Sequence, residues 1–431
     1  MSLKSLKYFY GLHKSKKLDQ RTLKELQLKR LKEIITYAYL NIPFYHKKFE
    51  MAKIKPTDIK TFKDLQKIPL TTKTEIQSIP LKDLISKDTS LNSCSKSLTS
   101  GTTGIPLTII SDRSYLDFQT ALFARTYIED GVKLWDKMVR IIDPSAIPKN
   151  ETWYRRTGLL RVKYISIFDP VEKQLSIIKS YNPDIIRGFS SYITLLAYYA
   201  RENRMALKPK LVFTSAEYLD KASRNLIESA FQSQLFDLYI STEFGLMAWE
   251  CKEHSGYHTN VESVLIEFIK NGECVDTGER GGIICTNLIN KTMPLIRYDL
   301  GDIAISSEEE CTCGVTLPLI RLIEGRTGDF LTTSDNRIIP PTIFFPYPFD
   351  DVEGIKQFRI VQEKKDKLVI QLVAREEFEK NEQSLEKARK EIWKIFGENT
   401  SVEFQFVDKI KSDTERKYRK IVSKIPVNFS Q

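Results

Sequence analysis

Residues 97–106 read SLTSGTTGIP and set Gly101 and Gly104 among the hydroxyls of Thr99, Ser100, Thr102 and Thr103, with no charge. Glycines that permit positive φ let successive backbone N–H groups converge on an anion, so the stretch is a candidate phosphate nest. It is not a Walker loop, because no Gly-Lys-Ser/Thr follows at the required spacing. Further on, YISTEFG at 239–245 presents an aromatic ring, a hydroxyl and a carboxylate at the end of an apolar run. Tyr239 can stack on a base, Thr242 can hydrogen-bond a phosphate, and Glu243 can ligate Mg²⁺. PLIRYDLGD at 294–302 places Asp302 after a glycine turn, where its carboxylate can accept from two ribose hydroxyls. IEGRTGD at 323–329 offers Arg326 as a rigid donor fork. Taken singly, each has a plain structural counterpart: a surface loop, a helix-capping Thr-Glu pair, or a β-turn with a salt bridge.

A second constellation is sulfur-rich. WECKEHSGYH and EECTCGV supply Cys251, His254, His258, Cys311 and Cys313. Two thiols at Cys-x-Cys with a Cys and a His far upstream suit tetrahedral structural zinc. The expected ligands are Cys251, His258, Cys311 and Cys313, with His254 as the alternative fourth. The competing account is a set of reduced cysteines packed as small hydrophobes. Cys94, Cys274 and Cys285 stand in or beside apolar runs and fit that account. With only four histidines in the chain, none in a nucleophile context, no Ser-His-Asp triad is arguable.

The elements that must position these groups follow from periodicity. Residues 1–60 are basic with helix-spaced apolar positions, and a break is expected at Pro43. MVRIIDP, PKLVFTSAE and QLFDLYISTE each put an apolar strand directly before polar residues, the arrangement that places ligands at the carboxyl ends of strands in open α/β sheets. VLIEFI, GGIICTNL and IRYDLGDIAIS predict an antiparallel or barrel-like subdomain. After GRTGDFL come a hairpin turning at Lys364–Lys367, an amphipathic helix ending at Gly397, and a strand, SVEFQFVDKI. The fold class expected is therefore α/β: a large N-terminal domain over residues 1–326 and a small α+β C-terminal domain over 327–431.

With 431 residues and 41% apolar side chains, more than one domain and a sizeable core are expected. No apolar run reaches the length of a membrane span, and the first residues lack the apolar segment of a secretory signal. A soluble cytoplasmic protein with no membrane span is the expectation. The net charge of +10 is spread along the chain, with no arginine-rich arm or compact basic helix. It predicts a solvated lysine-rich surface suited to small anionic substrates and no nucleic-acid partner. Six cysteines in a chain of this size do not describe a disulfide scaffold. The oligomeric state is open, with a homodimer as the candidate assembly.

In combination the segments are far more specific. The order SLTSGTTGIP, FTSAE, YISTEFG, PLIRYDLGD and EGRTGD, followed by a basic tail, resembles the adenylate-forming superfamily of acyl-CoA synthetases, adenylation domains and luciferase. AYLNIPFYHKKF, DLQKIPLTTKTEI and YNPDIIRGFSSYITLLAYYA narrow the resemblance to phenylacetate–CoA ligase-like proteins and capsule-biosynthesis adenylate enzymes. It extends from about Tyr37 to the end of the chain.

The resemblance implies a two-step reaction. A carboxylate attacks the α-phosphate of ATP, and the acyl-adenylate passes to coenzyme A; the alternatives are transfer to an amine or hydroxyl acceptor in polysaccharide or secondary-metabolite biosynthesis, or a degenerate nucleotide-binding protein that no longer adenylates. It implies that Ser100, Gly101, Thr102, Thr103 and Gly104, with Thr99, grip the β- and γ-phosphates. Thr214, Ser215, Ala216, Glu217 and Tyr239 would border the adenine, with Ile240 and Ser241 in the same nucleotide set. Thr242 would touch the α-phosphate, Glu243 would hold Mg²⁺, and Asp302 and Arg326 would bind the ribose. The small domain would rotate about a hinge near Thr327–Asp329. Phosphoryl chemistry needs positioning and charge neutralisation, and the family's C-terminal lysine maps onto SDTERKYRKIVSKI as Lys417, with Lys420 as the alternative register. Three departures stand out: Ile105 where relatives carry a loop lysine, Arg416 where glycine is common, and Gly328 at the hinge. Some phenylacetate–CoA ligase-like proteins also carry a similar Cys…His…Cys-x-Cys set. The acid itself is not legible, although Phe189 and Tyr192 hint at an aromatic wall.

Overall fold

The computed structural model describes residues 2–99, 107–147, 161–167, 169–324, 331–336, 338–339, 349, 354–374, 382–410 and 421–425. Its helices are α1 (Leu3–Ser15), α2 (Gln20–Asn41), α3 (Pro43–Met51), α4 (Lys73–Ser78), α5 (Leu81–Leu84), α6 (Arg113–Glu129), α7 (Val171–Tyr181), α8 (Ser190–Glu202), α9 (Lys221–Phe231) and α10 (Glu382–Phe396). The chemistry of their first residues accounts for several starts. Ser2, Asp19, Asp112 and Asp220 each accept, through the side chain, a backbone N–H three residues on, satisfying an orphan donor of the first turn. The expected break falls where α2 stops at Asn41 and α3 begins with Pro43, whose fixed φ and missing N–H suit a first helical position.

Contacts divide the chain into two compact units, one carrying Met1–Thr99, Pro106–Leu300 and Ala304–Ile323, the other Gly301–Ile303 and Glu324–Gln431. The first unit opens with a hairpin of β1 (Ser95–Leu98) and β2 (Thr108–Ser111). Then come β3 (Met138–Ile142), β4 (Val162–Ser166), β5 (Ile185–Phe189), β6 (Leu211–Ser215), β7 (Gln234–Ser241), β8 (Gly245–Glu250), β9 (Tyr257–Thr259), β10 (Val264–Lys270), β11 (Glu273–Cys274), β12 (Arg280–Asn287), β13 (Tyr298–Ser307) and β14 (Leu319–Glu324). These twelve strands pair in the order β11-β10-β12-β13-β14-β9-β8-β7-β6-β5-β3-β4.

Strands β4, β3, β5, β6 and β7 are parallel, and the pairing turns antiparallel at β7–β8. The strands expected as a barrel-like subdomain continue from the parallel half in one hydrogen-bonded sheet. The parallel strands are nearly uninterrupted apolar runs because helices cover them: α7, α8 and α9 share a core with β3, β5 and β6 around Val139, Ile186, Val212 and Phe231.

Helix α1 lies along α6, with Tyr8 edge-on to Phe118 at a ring separation of 5.0 Å. Between the two helices and the segment before β10, the fully buried Arg125 donates to Glu262 at 2.5 Å, and Ser15 donates to the same carboxylate. Arg125 also reaches Asn260 and the carbonyl of Leu12. Removing either charged partner would strand the other away from water, which makes this pair a strict geometric constraint on where α1 sits.

In the second unit, β15 (Leu331–Thr332) pairs with β16 (Ile338–Ile339), and β17 (Ile355–Lys364), β18 (Lys367–Ala374), β19 (Ser401–Phe406) and β20 (Ile421–Ser423) form a sheet in the order β19-β18-β17-β20. The hairpin turns where the sequence places it, with Lys364 opposite Lys367. Helix α10 buries Leu385, Ala388, Ile392 and Phe396, one stripe at helical spacing. Buried Gln362 exchanges two hydrogen bonds with the backbone of Thr332 and so ties β15 to β17.

Candidate functional site

Because β5, β6 and β7 are adjacent and parallel, the residues that follow them emerge on one rim of the first unit. After β6 the chain enters Ala216 with φ 69°, in the left-handed region, and leaves this residue exposed. A non-glycine residue there costs about 1–2 kcal/mol, a strain that tends to persist at ligand-handling turns. Ser190, at the start of α8, donates its hydroxyl to the carbonyl of Glu217 at 3.1 Å. Phe189 and Tyr192 lie with ring centroids 6.0 Å apart. The phenol of Tyr192 is raised by burial and then by the Glu217 and Asp143 carboxylates. The expected aromatic wall and the expected adenine segment are therefore neighbours.

At the end of β7, Tyr239 and Ile240 are half-buried and pack into different cores. Ser241 is buried and its hydroxyl accepts from the N–H of Phe244 at 3.0 Å, which turns the chain. That turn leaves Thr242 exposed beside the buried Glu243. Thr214 is wholly buried and donates to Asp237 at 2.6 Å. It supports the strand from beneath, whereas Ser215 (also buried) and Ala216 lead to the rim.

Two residues with no sequence signal complete this arrangement. Gln119 of α6 clasps the turn after Glu243: its Nε2 donates to the carbonyl of Phe244 at 3.1 Å, and its Oε1 accepts from the N–H of Leu246 at 3.0 Å. Between those contacts Gly245 has φ 70°, and a Cβ there would lie 2.2 Å from Gln119 Oε1. Asp237, on β7, accepts from Thr214 and from Tyr257. Burial first, then the Glu250 carboxylate, raises its carboxyl. Gln119 and Asp237 are invisible in sequence because each partner lies on a distant element. Replacing Gln119 with Met, of similar shape but without the paired hydrogen bonds, is expected to loosen the Thr242–Glu243 turn and to lower the thermal unfolding temperature, at a cost of roughly 1–3 kcal/mol for the buried backbone groups left unpaired. An unchanged unfolding temperature in that variant would show that the clasp does not hold the turn.

Thr99 closes the base of the β1–β2 hairpin. Its N–H donates to the carbonyl of Leu107, and its hydroxyl accepts from the N–H of Leu107, both at 2.9 Å. Asp302 is buried on β13. Ser100, Gly101, Thr102, Thr103, Gly104, Ile105, Arg326, the Thr327–Asp329 hinge, Lys417 and Lys420 lie outside the described residues.

The sulfur cluster is assembled by sheet pairing. Cys251 immediately follows β8, and His258 sits on β9, opposite Trp249 on one side and Leu319 of β14 on the other. Gly256, at φ 145°, lets the chain pass the carbonyl of Ile320, which a Cβ would approach to 2.7 Å. Cys311 and Cys313 come from the β13–β14 connection. The ligand atoms of Cys251, His258, Cys311 and Cys313 all lie within 4.8 Å of one another. Cys251 and Cys311 sulfurs are 3.5 Å apart, and Cys313 Sγ is 3.3 Å from His258 Nε2. A tetrahedral zinc with Zn–S bonds of about 2.3 Å would put ligand atoms about 3.8 Å apart, so the spacing fits.

His258 Nδ1 is 3.1 Å from the carbonyl of Leu317; as a donor there, it leaves Nε2 free to ligate. Burial raises the thiols of Cys251 and Cys313 and lowers the imidazole of His258. At Cys311 burial also acts upward, but hydrogen bonds led by that of Ser255 bring its thiol below the usual value. Three sulfurs with one imidazole form a soft donor set of the zinc type, and a bound cation would offset the burial that keeps the Cys251 and Cys313 thiols protonated. The alternative ligand His254 is not in the cluster: it stacks on Phe236 at 5.5 Å and faces Glu250.

Comparison with known proteins agrees with this architecture. Residues 331–424 match the family model for the CapK C-terminal domain. Protein CapK of Staphylococcus aureus is 25% identical over 93% of this chain and 89% of its own length. A phenylacetate-coenzyme A ligase of Thermus thermophilus is 24% identical over 76% of this chain and 75% of its own. Among solved structures, a 2-hydroxyisobutyryl-CoA ligase in the postadenylation state, bound to 2-HIB-AMP, superposes with a TM-score of 0.77 at 21% identity, covering 95% of this chain and 91% of that one. The chain is thus similar in sequence to phenylacetate-coenzyme A ligases and to CapK, matches the CapK C-terminal domain over residues 331–424, and shares the fold of the solved 2-hydroxyisobutyryl-CoA ligase.

Proposed function

We propose that this protein activates a carboxylic acid with ATP as an acyl-adenylate and then transfers the acyl group to coenzyme A. The observation that carries the reading is the shared rim of β5, β6 and β7, where Ala216, Glu217, Thr242 and Glu243 emerge together. Relatives named as phenylacetate-coenzyme A ligases support the same chemistry. On this reading Ser215, Ala216, Glu217 and Tyr239 border the adenine, Thr242 orients the α-phosphate, and Asp302 with Arg326 takes the ribose. Glu243 is a hard oxygen donor suited to Mg²⁺, which supplies charge neutralisation on the phosphates when bound. The zinc held by Cys251, His258, Cys311 and Cys313 is structural: four protein ligands leave no open position for catalysis. Lys417 of the C-terminal domain supplies the remaining cation, and the protein works in the cytoplasm.

A second reading shares the first step but delivers the acyl group to an amine or hydroxyl. CapK, whose name specifies no coenzyme A step, matches along 93% of this chain, whereas the relatives named for coenzyme A match over 67–76%. Pyrophosphate release measured over a panel of carboxylic acids, followed by assay of CoA consumption with the best acid, separates the two. Acid-dependent release with CoA consumed supports the first reading, and release without CoA consumption supports the second. No ATP-dependent release with any acid would end both.

A further inference from the structure

Helix α1 has two apolar faces and only one of them is accounted for. Its inner face, with Ser5, Leu12 and Ser15 buried, packs along α6. On the opposite side Leu3, Leu6 and Tyr10 are 88%, 49% and 63% exposed. At 3.6 residues per turn, Leu3, Leu6, Lys7, Tyr10 and Lys14 fall within an arc of about 100°. Lys14 Nζ lies 4.4 Å from the centre of the Tyr10 ring, so the cation and the aromatic share one surface. Between Ser2 and Leu18 the chain has lysines at 4, 7, 14, 16 and 17 and no Asp or Glu.

We infer that the outward face of α1 docks the protein on an anionic membrane surface. Scattered exposed apolar side chains are ordinary, but a stripe of three interleaved with lysines is the pattern of an interfacial helix. The rings and aliphatic groups enter the headgroup boundary while lysine stems extend their ammonium groups to lipid phosphates. Charge argues against the other occupants. A second copy of this face would set lysine against lysine, and lysine is depleted from the cores of protein–protein interfaces. The docking is peripheral and reversible, because one helix face with a few basic residues gives only modest affinity. It is independent of the nucleotide site, none of whose residues lie on α1.

The test is co-sedimentation of the full-length protein with vesicles of phosphatidylcholine alone and of phosphatidylcholine mixed with phosphatidylglycerol. Wild type is expected to bind the mixed vesicles, to release at high salt, and to ignore neutral ones. Lys7→Gln and Lys14→Gln should each weaken binding about five-fold, and Leu6→Ser with Tyr10→Ser should remove it. Circular dichroism and ATP–pyrophosphate exchange of the variants check that the fold and the rim are intact. Absence of wild-type binding, or equal binding by the double serine variant, overturns the inference. So does a wild-type dimer by light scattering that becomes monomeric in the double variant, since the stripe would then be a subunit interface.

Discussion

Cys313→Ser protein is expected to purify without zinc and to unfold at a markedly lower temperature than wild type. The sulfur of Cys313 lies 3.3 Å from His258 Nε2 and within the same 4.8 Å set as Cys251 and Cys311. Serine offers a harder, poorly ionised oxygen in its place, so the four-ligand closure fails. A zinc bound there would also be folding energy, because the ligands come from the end of β8, from β9 and from the β13–β14 connection, and the ion would join all three directly. The loss should be on the order of several kcal/mol, less than in a zinc finger because the sheet already holds β8 and β9 together. Elemental analysis and thermal unfolding, each with and without chelator, measure it. Cys274→Ser, at an exposed cysteine outside the cluster, should keep both metal and stability. Wild type that purifies free of zinc, or Cys313→Ser that retains it in stoichiometric amount, would refute the site.

Lys417→Ala is expected to lower acyl-adenylate formation by about 10²–10³-fold, the scale seen when one preorganised charge partner of a transition state is removed. The reasoning begins at the phosphate loop. SLTSGTTGIP carries no cation, and Ile105 stands where the resemblance calls for lysine. Its N–H and hydroxyl groups can position β- and γ-phosphates but cannot offset the charge that develops as pyrophosphate departs. On the proposed reading, Mg²⁺ on Glu243 would be one source of positive charge and Lys417 of the C-terminal domain the other. Thioester formation from a supplied acyl-adenylate should survive in the variant, since that step no longer involves the triphosphate. Measuring both half-reactions separates a lost charge from a misfolded domain. If Lys420→Ala, and not Lys417→Ala, silences the first half-reaction, the register shifts by three residues. If neither does, the loop has a different cation.

Much of the fold is local and was legible. The apolar runs that become β3, β6 and β7, the hairpin at Lys364–Lys367 and the stop of α10 before Gly397 follow from periodicity and turn chemistry. The continuity of the parallel and antiparallel strands in one sheet was not legible, because which strand edges pair depends on crossovers between distant segments.

The same division runs through the sites. By itself, the sequence determined the order of the stretches proposed to bind nucleotide and the presence of a Cys-x-Cys pair, since both are patterns of neighbours along the chain. Tertiary structure decided which histidine joins that pair. His254 and His258 are four residues apart, but β9 pairs between β8 and β14 and turns His258 towards Cys313, while His254 packs on Phe236. It also decided that Gln119 holds the turn beyond Glu243 from 125 residues away. The physical reason is common to both: strand pairing and helix packing fix side-chain positions to within an ångström or two, and spacing along a flexible chain cannot.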